Sequence, residues 1–370
     1  MKRLGILTSG GDAPGLNAVI RAAVKSSAQH GYETVGFQRG FEGLAQPPHL
    51  MPLNYDNTTG ILATGGTILG TTNRGRFACK VGVDDRQTLD PQLIDEVRQT
   101  MRQTKLEGLI CIGGDGSLTI AQQLHEAGIP LVGVPKTIDN DLSATVFTFG
   151  FDSAVACVTD ALDRLHTTAA SHDRVFVLEV MGRHTGWIAL YAGIAGGGDI
   201  ILLPEIPWTF ENVCQRIAER DQLGRRFTLV VVAEGAQLPG GGLVSQEAAQ
   251  HDRQTRLGGI GNVVAHEIEH RLGRETRAVV LGHLQRGGTP TAFDRALATQ
   301  FGAHAVRLLM ERRLGEMVCY QPPHIASVPI RDAVATLARV NTSCSAVLAA
   351  RAMGISFGDV PQHTPPFRAD

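Results

Sequence analysis

Gly113-Gly114-Asp115-Gly116-Ser117 closes one apolar run, Gly108 to Ile112, and Lys136-Thr137-Ile138-Asp139-Asn140-Asp141 closes another, Pro130 to Val134. The glycines of the first loop let an anionic chain approach the backbone, and they leave the Asp115 carboxylate bare as a hard oxygen ligand for magnesium. The second loop brings two carboxylates and a lysine. A phosphate-accepting turn, a divalent cation and a carboxylate base in one place meet the needs of phosphoryl transfer. The plainer alternatives are a turn carboxylate at Asp115 and a turn cap formed by Asp139 with Asn140, since acidic turn residues are common. The constellation as a whole outweighs them.

The elements around these loops must bring them to one edge. Between them Leu118 to Ala127 reads as a helix, with Ser117 as its N-cap and Gly128 beyond its end. Strand, loop, helix, strand, loop describes a parallel unit whose loops open on the same side of a sheet. Upstream, the strand Leu4 to Ser9 ends at Gly10-Gly11-Asp12-Ala13-Pro14-Gly15, and a helix from Leu16 to His30 stops at Gly31. A helix opening after a glycine-rich turn suits an anion. After the strand Glu33 to Gln38, a second glycine cluster, Thr64 to Gly70, leads to Arg74, Gly75 and Arg76. An arginine in that position can lean over a polyphosphate. Pro91 to Lys105 is a further helix.

The second half repeats the alternation. Asp152 to Ala170 is helical, and the strand Arg174 to Val180 ends in Met181-Gly182-Arg183-His184-Thr185-Gly186. A helix from Trp187, a strand at Ile200 to Leu203, and a helix capped by Thr209 and running to Leu223 follow. Phe227 to Ala233 is a strand apolar enough to be buried on both faces, and it ends at Glu234-Gly235. Val263 to His270 is helical, and Thr276 to Leu281 is a strand ending in Gly282-His283-Leu284-Gln285-Arg286-Gly287-Gly288. Thr291 caps a helix carrying Asp294 and Arg295, and Asp332 to Met353 is one more amphipathic stretch. Strand tips therefore carry Gly10-Gly11, Asp115, Asp139, Arg183, Glu234, His283 and Arg286, where open parallel sheets bind ligands.

With 370 residues the chain exceeds one ordinary domain, so two are expected, and a boundary is placed near Phe149 to Asp152. A net charge of -2 gives no electrostatic support for a nucleic-acid partner. Six cysteines at scattered positions show neither metal-ligand nor redox spacing, as expected of reduced thiols. The chain starts directly into a strand and holds no long apolar span, so a cytoplasmic protein away from membranes is expected.

LTSGGDAPGLNAVIR, GGTILGT, GGDGS, PKTIDND, MGRHTGW and ETRAVVLGHLQRGG with FDR resemble, in order and approximate spacing, the 6-phosphofructokinase family from about Leu4 to Leu309. The resemblance implies an α/β fold of two doubly wound Rossmann-like domains with mainly parallel sheets and the active site in the cleft between them. Residues 1–150, completed by about 285–330, would form the nucleotide-binding domain. Residues 151–284, completed by 331–370, would bind sugar phosphate. It implies phosphorylation of fructose 6-phosphate at its 1-hydroxyl by Mg-ATP, the committed step of glycolysis. Gly11, Arg74, Gly75, Gly114, Asp115, Gly116 and Ser117 would hold ATP, with Mg2+ on Asp115. Asp139 would be the general base, aided by Thr137 and Arg183, with Asp141 beside it. Ile138, Met181, Gly182, Glu234, His283, Leu284, Gln285 and Arg286 would join these in the sugar-phosphate site. Arg174 and Arg277 would reach a neighbouring subunit's site in a homo-oligomer, a tetramer or a dimer.

Two positions bear on the donor. Gly116 resembles ATP-using members, because an aspartate there would crowd the α-phosphate. Lys136 resembles pyrophosphate-using members, but a lysine cannot exclude a triphosphate, so ATP is the expected donor and pyrophosphate the alternative. The resemblance also places an effector site near Arg21, Lys25, His166, Glu205, Arg225 and Arg226. Lys25 and His166 stand where arginines are expected, which implies weaker binding of a phosphorylated effector and altered rather than simple activation by a nucleoside diphosphate.

Overall fold

A computed structural model of the chain describes residues 2–72, 75–77, 88–247 and 256–359. Strand β1 (Lys2–Thr8) is buried from Leu4 onward. Helix α1 (Leu16–Gln29) turns Leu16, Val19, Ile20 and Ala23 inward, as their spacing requires. Strand β2 (Tyr32–Phe37) runs parallel to β1, and β3 (Leu50–Leu53) returns antiparallel to β2. The short helix α2 (Tyr55–Thr58) is capped by Asn54, and α3 (Pro91–Thr104) by Asp90 with proline in its first turn. Strand β4 (Leu106–Gly113), helix α4 (Asp115–Glu126) and strand β5 (Leu131–Pro135) follow. Next come α5 (Phe151–His172), β6 (Val175–Val180), α6 (Trp187–Ala195), β7 (Ile200–Leu202), α7 (Phe210–Gln222) and β8 (Thr228–Ala233). The small antiparallel pair β9 (Ser245–Glu247) and β10 (Arg256–Leu257) precedes α8 (Ile260–Leu272) and β11 (Thr276–Val280). The chain ends with α9 (Ala292–Met310), the hairpin β12 (Glu316–Gln321) and β13 (His324–Pro329), α10 (Ile330–Ala333) and α11 (Ser345–Ala352).

Two compact units result: Met1–Ser153 with Arg286–Ala338, and Ala154–Gln285 with Arg339–Asp370. The sheet of the first unit has the order β13-β12-β5-β4-β1-β2-β3, parallel from β12 to β2. From β1 the chain moves to β2 on one side, and from β4 to β5 on the other. The carboxyl ends of β1 and β4 thus flank a topological switch point, where open sheets leave a crevice. Successive side chains of β4 face opposite layers, Leu109 and Cys111 in one core and Ile110 and Ile112 in the other. The sheet of the second unit, β11-β6-β8-β7, is parallel throughout. Val175, Val177, Val230 and Val232 pack in one of its layers.

Two sequence expectations need correction. Helix α4 begins at Asp115 rather than Leu118, because Leu118 N–H bonds to Gly114 O at 2.9 Å and closes the first turn there. Ser117 is therefore a buried first-turn residue and Gly114 the N-cap. Asp332 to Met353 is not one helix. Leu337 pairs with Leu142, and Ala338 N–H bonds to Asp141 O at 2.8 Å, so the middle of the stretch is extended. Beyond α11, Ser356 pairs parallel with Ile200 and so flanks β7 in the second unit. No helix among the described residues is long and apolar enough to cross a membrane.

Candidate active site

In the first unit the carboxyl ends of β1, β4 and β5 deliver three loops to one place. Ser9 N–H bonds to Ile112 O at 2.9 Å, and Lys136 N–H to Gly113 O at 2.9 Å, which continues the sheet into the loops. A methyl group on Gly10 would lie 3.1 Å from Ser117 Oγ and 3.6 Å from Lys136 Nζ. Gly10 has φ +81°, and it is this left-handed conformation, more than the tight fit, that favours glycine in the turn. The N-terminus of α4 presents backbone N–H groups next to this turn, a ready anion site. Arg286 donates from Nη1 to Asp12 O at 3.1 Å and brings a guanidinium to the same turn.

The charges are concentrated and buried. Lys136 is 4% exposed, and burial together with the Arg286 charge lowers its pKa to about 8, against the pull of Asp139, Asp141 and Asp12. Burial raises the Asp141 carboxyl to about 7, with Asp139 and Asp115 adding to the shift. Asp141 Oδ1 is buried without a hydrogen-bond partner. Thr137 Oγ1 accepts from Asp139 N–H at 3.1 Å, and Thr148 holds the loop through Thr137 O and Asn140 Oδ1. Ile138 turns its side chain into the core, so only its backbone faces the loop's environment. Arg74 lies outside the described residues. Gly75, with φ +115°, sits against the Glu42 carboxylate.

Magnesium fits this donor set. Asp115 and Asp141 supply carboxylate oxygens, one of them an orphaned buried atom. Among the described residues no three His, Cys, Asp or Glu side chains form a metal cage.

In the second unit β6 and β8 end side by side. Glu234 N–H bonds to Val180 O at 2.8 Å, and the Glu234 carboxylate accepts Arg183 N–H at 3.2 Å. Arg183 is held at φ +50° and Gly182 at φ +142°. Gln285 is fully buried. It accepts Met181 N–H at 3.2 Å and donates to Gly282 O at 3.0 Å, so it braces the strand ends instead of presenting its amide outward. His283 and Leu284 are exposed on the turn that Gln285 anchors. The buried Glu179 carboxylate, not singled out from the sequence, accepts N–H groups of Gly259 and Gly261 and fixes the start of α8. Its only sequence signal is an acid within an apolar strand.

Arg174 and Arg277 are not with Met181 and Glu234. They stand at the amino ends of β6 and β11, joined through Glu275 at 2.8 and 2.5 Å. Four of the six anticipated effector residues have local partners. Lys25 lies over the Tyr55 ring, His166 meets Phe227 edge to face, and Arg226 faces Asp173. Glu205 accepts N–H groups of Gly186 and Val340, while burial raises its pKa.

The family model described as Phosphofructokinase matches residues 3–309. The chain is 50% identical to the ATP-dependent 6-phosphofructokinase of Chloroflexus aurantiacus, over 97% of this chain and 98% of that protein. It is 47% identical to ATP-dependent 6-phosphofructokinase 1 of Synechocystis, over 97% and 99%. Among solved structures, Pichia pastoris phosphofructokinase in the T-state superposes with a TM-score of 0.79 at 32% identity. That match covers 90% of this chain and 35% of the longer Pichia chain.

Proposed function

The chain belongs to the phosphofructokinase family, and on that premise we propose that it transfers the γ-phosphoryl group of ATP to the 1-hydroxyl of fructose 6-phosphate. The observation that carries this reading is the gathering of Asp115, Asp139, Asp141, Lys136 and Arg286 at the switch point of the first unit. The Gly10 turn and the N-terminal N–H groups of α4 hold the donor's phosphates, with Lys136 as the charge beneath them. Asp115, with Asp141 beside it, would hold Mg2+, which when bound would offset charge on the phosphates. In the second unit Arg183 and Glu234, braced by Gln285, receive the sugar phosphate.

Asp139 takes the proton of the 1-hydroxyl as that oxygen bonds to the γ-phosphorus. The bond to the bridging oxygen breaks, and ADP carries away the electron pair. Arg183 offsets charge that spreads over the transferred group. Thr137 keeps the Asp139 backbone in place through its hydroxyl. Arg174 and Arg277 serve a neighbouring subunit in a homo-oligomer.

ATP is favoured over pyrophosphate because the relatives above are named as ATP-dependent, and because Gly116 adds no bulk at the donor loop. Initial rates with fructose 6-phosphate and Mg2+, measured with ATP and pyrophosphate in parallel, test this. Turnover with ATP is expected, and Asp139→Asn should lower kcat by on the order of 10³-fold. Turnover with pyrophosphate alone would overturn the donor assignment.

A further inference from the structure

Asn17 stands in the first turn of α1, in an otherwise apolar stretch, and is 1% exposed. A buried amide must find partners for its oxygen and its NH2 group. Asn17 finds both on one loop. Its Nδ2 donates to Thr64 O at 3.0 Å and to Gly65 O at 3.2 Å, and its Oδ1 accepts Ile68 N–H at 2.9 Å. The side chain thus clamps both ends of the Thr64–Ile68 segment and holds it against α1.

That segment leads straight to the donor side of the candidate site. Thr67 Oγ1 lies 3.0 Å from Thr8 Oγ1, and Thr8 Oγ1 donates to Gly70 O at 2.9 Å. Thr71 Oγ1 then donates to Gly10 O at 2.7 Å, and Gly10 N–H bonds to Thr72 O at 3.2 Å. Both main-chain polar groups of Gly10 are therefore tied to the far end of the loop that Asn17 grips. The near end touches Gly288: a methyl on Gly65 would stand 2.2 Å from Gly288 O, two residues beyond Arg286. Asn17 itself reaches neither Gly10 nor Arg286, so its action runs through the loop.

We infer that Asn17 is a positioning residue for donor binding, which sets the Thr64–Thr72 loop and, through it, the conformation of the Gly10 turn. The inference rests on reading the first unit as the donor-binding half. Truncation leaves three loop groups without their partner, and the loop's freedom must then be lost on each binding event. Asn17→Ala is expected to raise the KM for MgATP by on the order of tenfold. The Kd of a non-hydrolysable ATP analogue, read by calorimetry, should rise by a similar factor. The KM for fructose 6-phosphate and kcat should stay within about twofold, as the second unit's Arg183 and Glu234 contacts are untouched.

Asn17→Asp gives a second variant of nearly unchanged shape. It keeps the acceptor for Ile68 N–H but turns a buried carboxylate oxygen toward Thr64 O and Gly65 O, so it should raise the analogue Kd at least as far as Asn17→Ala. Equal rises in both KM values, or a lowered Tm with unchanged analogue affinity, would reduce Asn17 to a stability residue and overturn the inference. If wild type binds the analogue but turns over no ATP, the proposed reaction fails. The calorimetric comparison still decides the role of Asn17.

Discussion

Lys136 shows how one buried side chain sets both activity and stability. Its charged form is disfavoured in the fold, with a pKa of about 8 against an ordinary value near 10.5. Below pH 8 the ammonium is present and, at the proposed donor site, would attract the donor's phosphates. Above that pH it is lost from the free protein, whereas bound phosphates keep it protonated. Hence kcat/KM for MgATP should fall as pH rises through about 8, with kcat much flatter, since only the former reports the free enzyme's groups. Lys136→Met should have a lower kcat/KM at pH 7 and lack this alkaline limb. Stability moves the other way. A lysine whose folded pKa is depressed binds fewer protons folded than unfolded between pH 8 and 10.5, so its penalty is complete below pH 8 and fades as pH rises. Removing the charge relieves this penalty at pH 7, so Lys136→Met is expected to have a Tm no lower than that of wild type. A Met variant with both a lower Tm and an unchanged pH profile would show that Lys136 is a packing residue.

At the scale of elements, the site depends on strand ends meeting without intervening side chains. Gly235 follows β8, and a methyl there would stand 1.7 Å from Arg183 O, a backbone atom with no room to yield. Gly235→Ala should therefore shift the Met181–Arg183 turn, raise the KM for fructose 6-phosphate by on the order of tenfold or more, and leave analogue binding by the first unit near wild type. Equal losses for donor and acceptor would point to global misfolding. Much of this arrangement was legible in the chain. Apolar runs such as Phe227 to Ala233 read as strands buried on both faces, and the glycines after them mark their ends. What stayed hidden depends on contacts distant in sequence. Gly114 and Gly116 argue against a helix start that the Asp115 turn nevertheless makes. The β12–β13 hairpin is added at the edge of a sheet built from the other end of the chain. Leu337 and Ala338 pair with the loop after β5 against their local helical pattern, and Asn341 then starts an Asx turn with Ser343 before α11. Gln285 lies in sequence among the expected substrate residues, and its burial and its bond to Met181 N–H show its side chain bracing the turn from within.

The two arginines at the amino edge of the second sheet carry the argument to the whole molecule. Arg174 precedes β6 and Met181 follows it, so roughly 20 Å of strand separates them, several times the reach of a side chain. Arg277 pairs at the same low end, opposite Phe176. Neither can join the Arg183–Glu234 cluster of its own sheet. Their shared partner, Glu275, is exposed, Arg277 also faces Glu269 at 3.8 Å, and an incoming anion would have to exchange with these carboxylates for the two guanidinium groups. If that anion is the sugar phosphate of a second copy, each site draws on two chains, and loss of either contribution is repairable. Asp139→Asn and Arg277→Ala chains should each be nearly inactive alone. Mixed, dissociated and reassembled at equal amounts, they should recover about a quarter of wild-type activity, because random pairing places an intact Asp139 opposite an intact Arg277 in that share of sites. Recovery would also locate Arg277 in the acceptor half, so the hybrid should show a near-normal KM for fructose 6-phosphate at its surviving sites. No recovery, with hybrid assembly shown by native mass spectrometry, would mean that the arginines act within their own chain or only at its surface, and the Glu275 cluster would then be an ion-pair network with no part in the reaction.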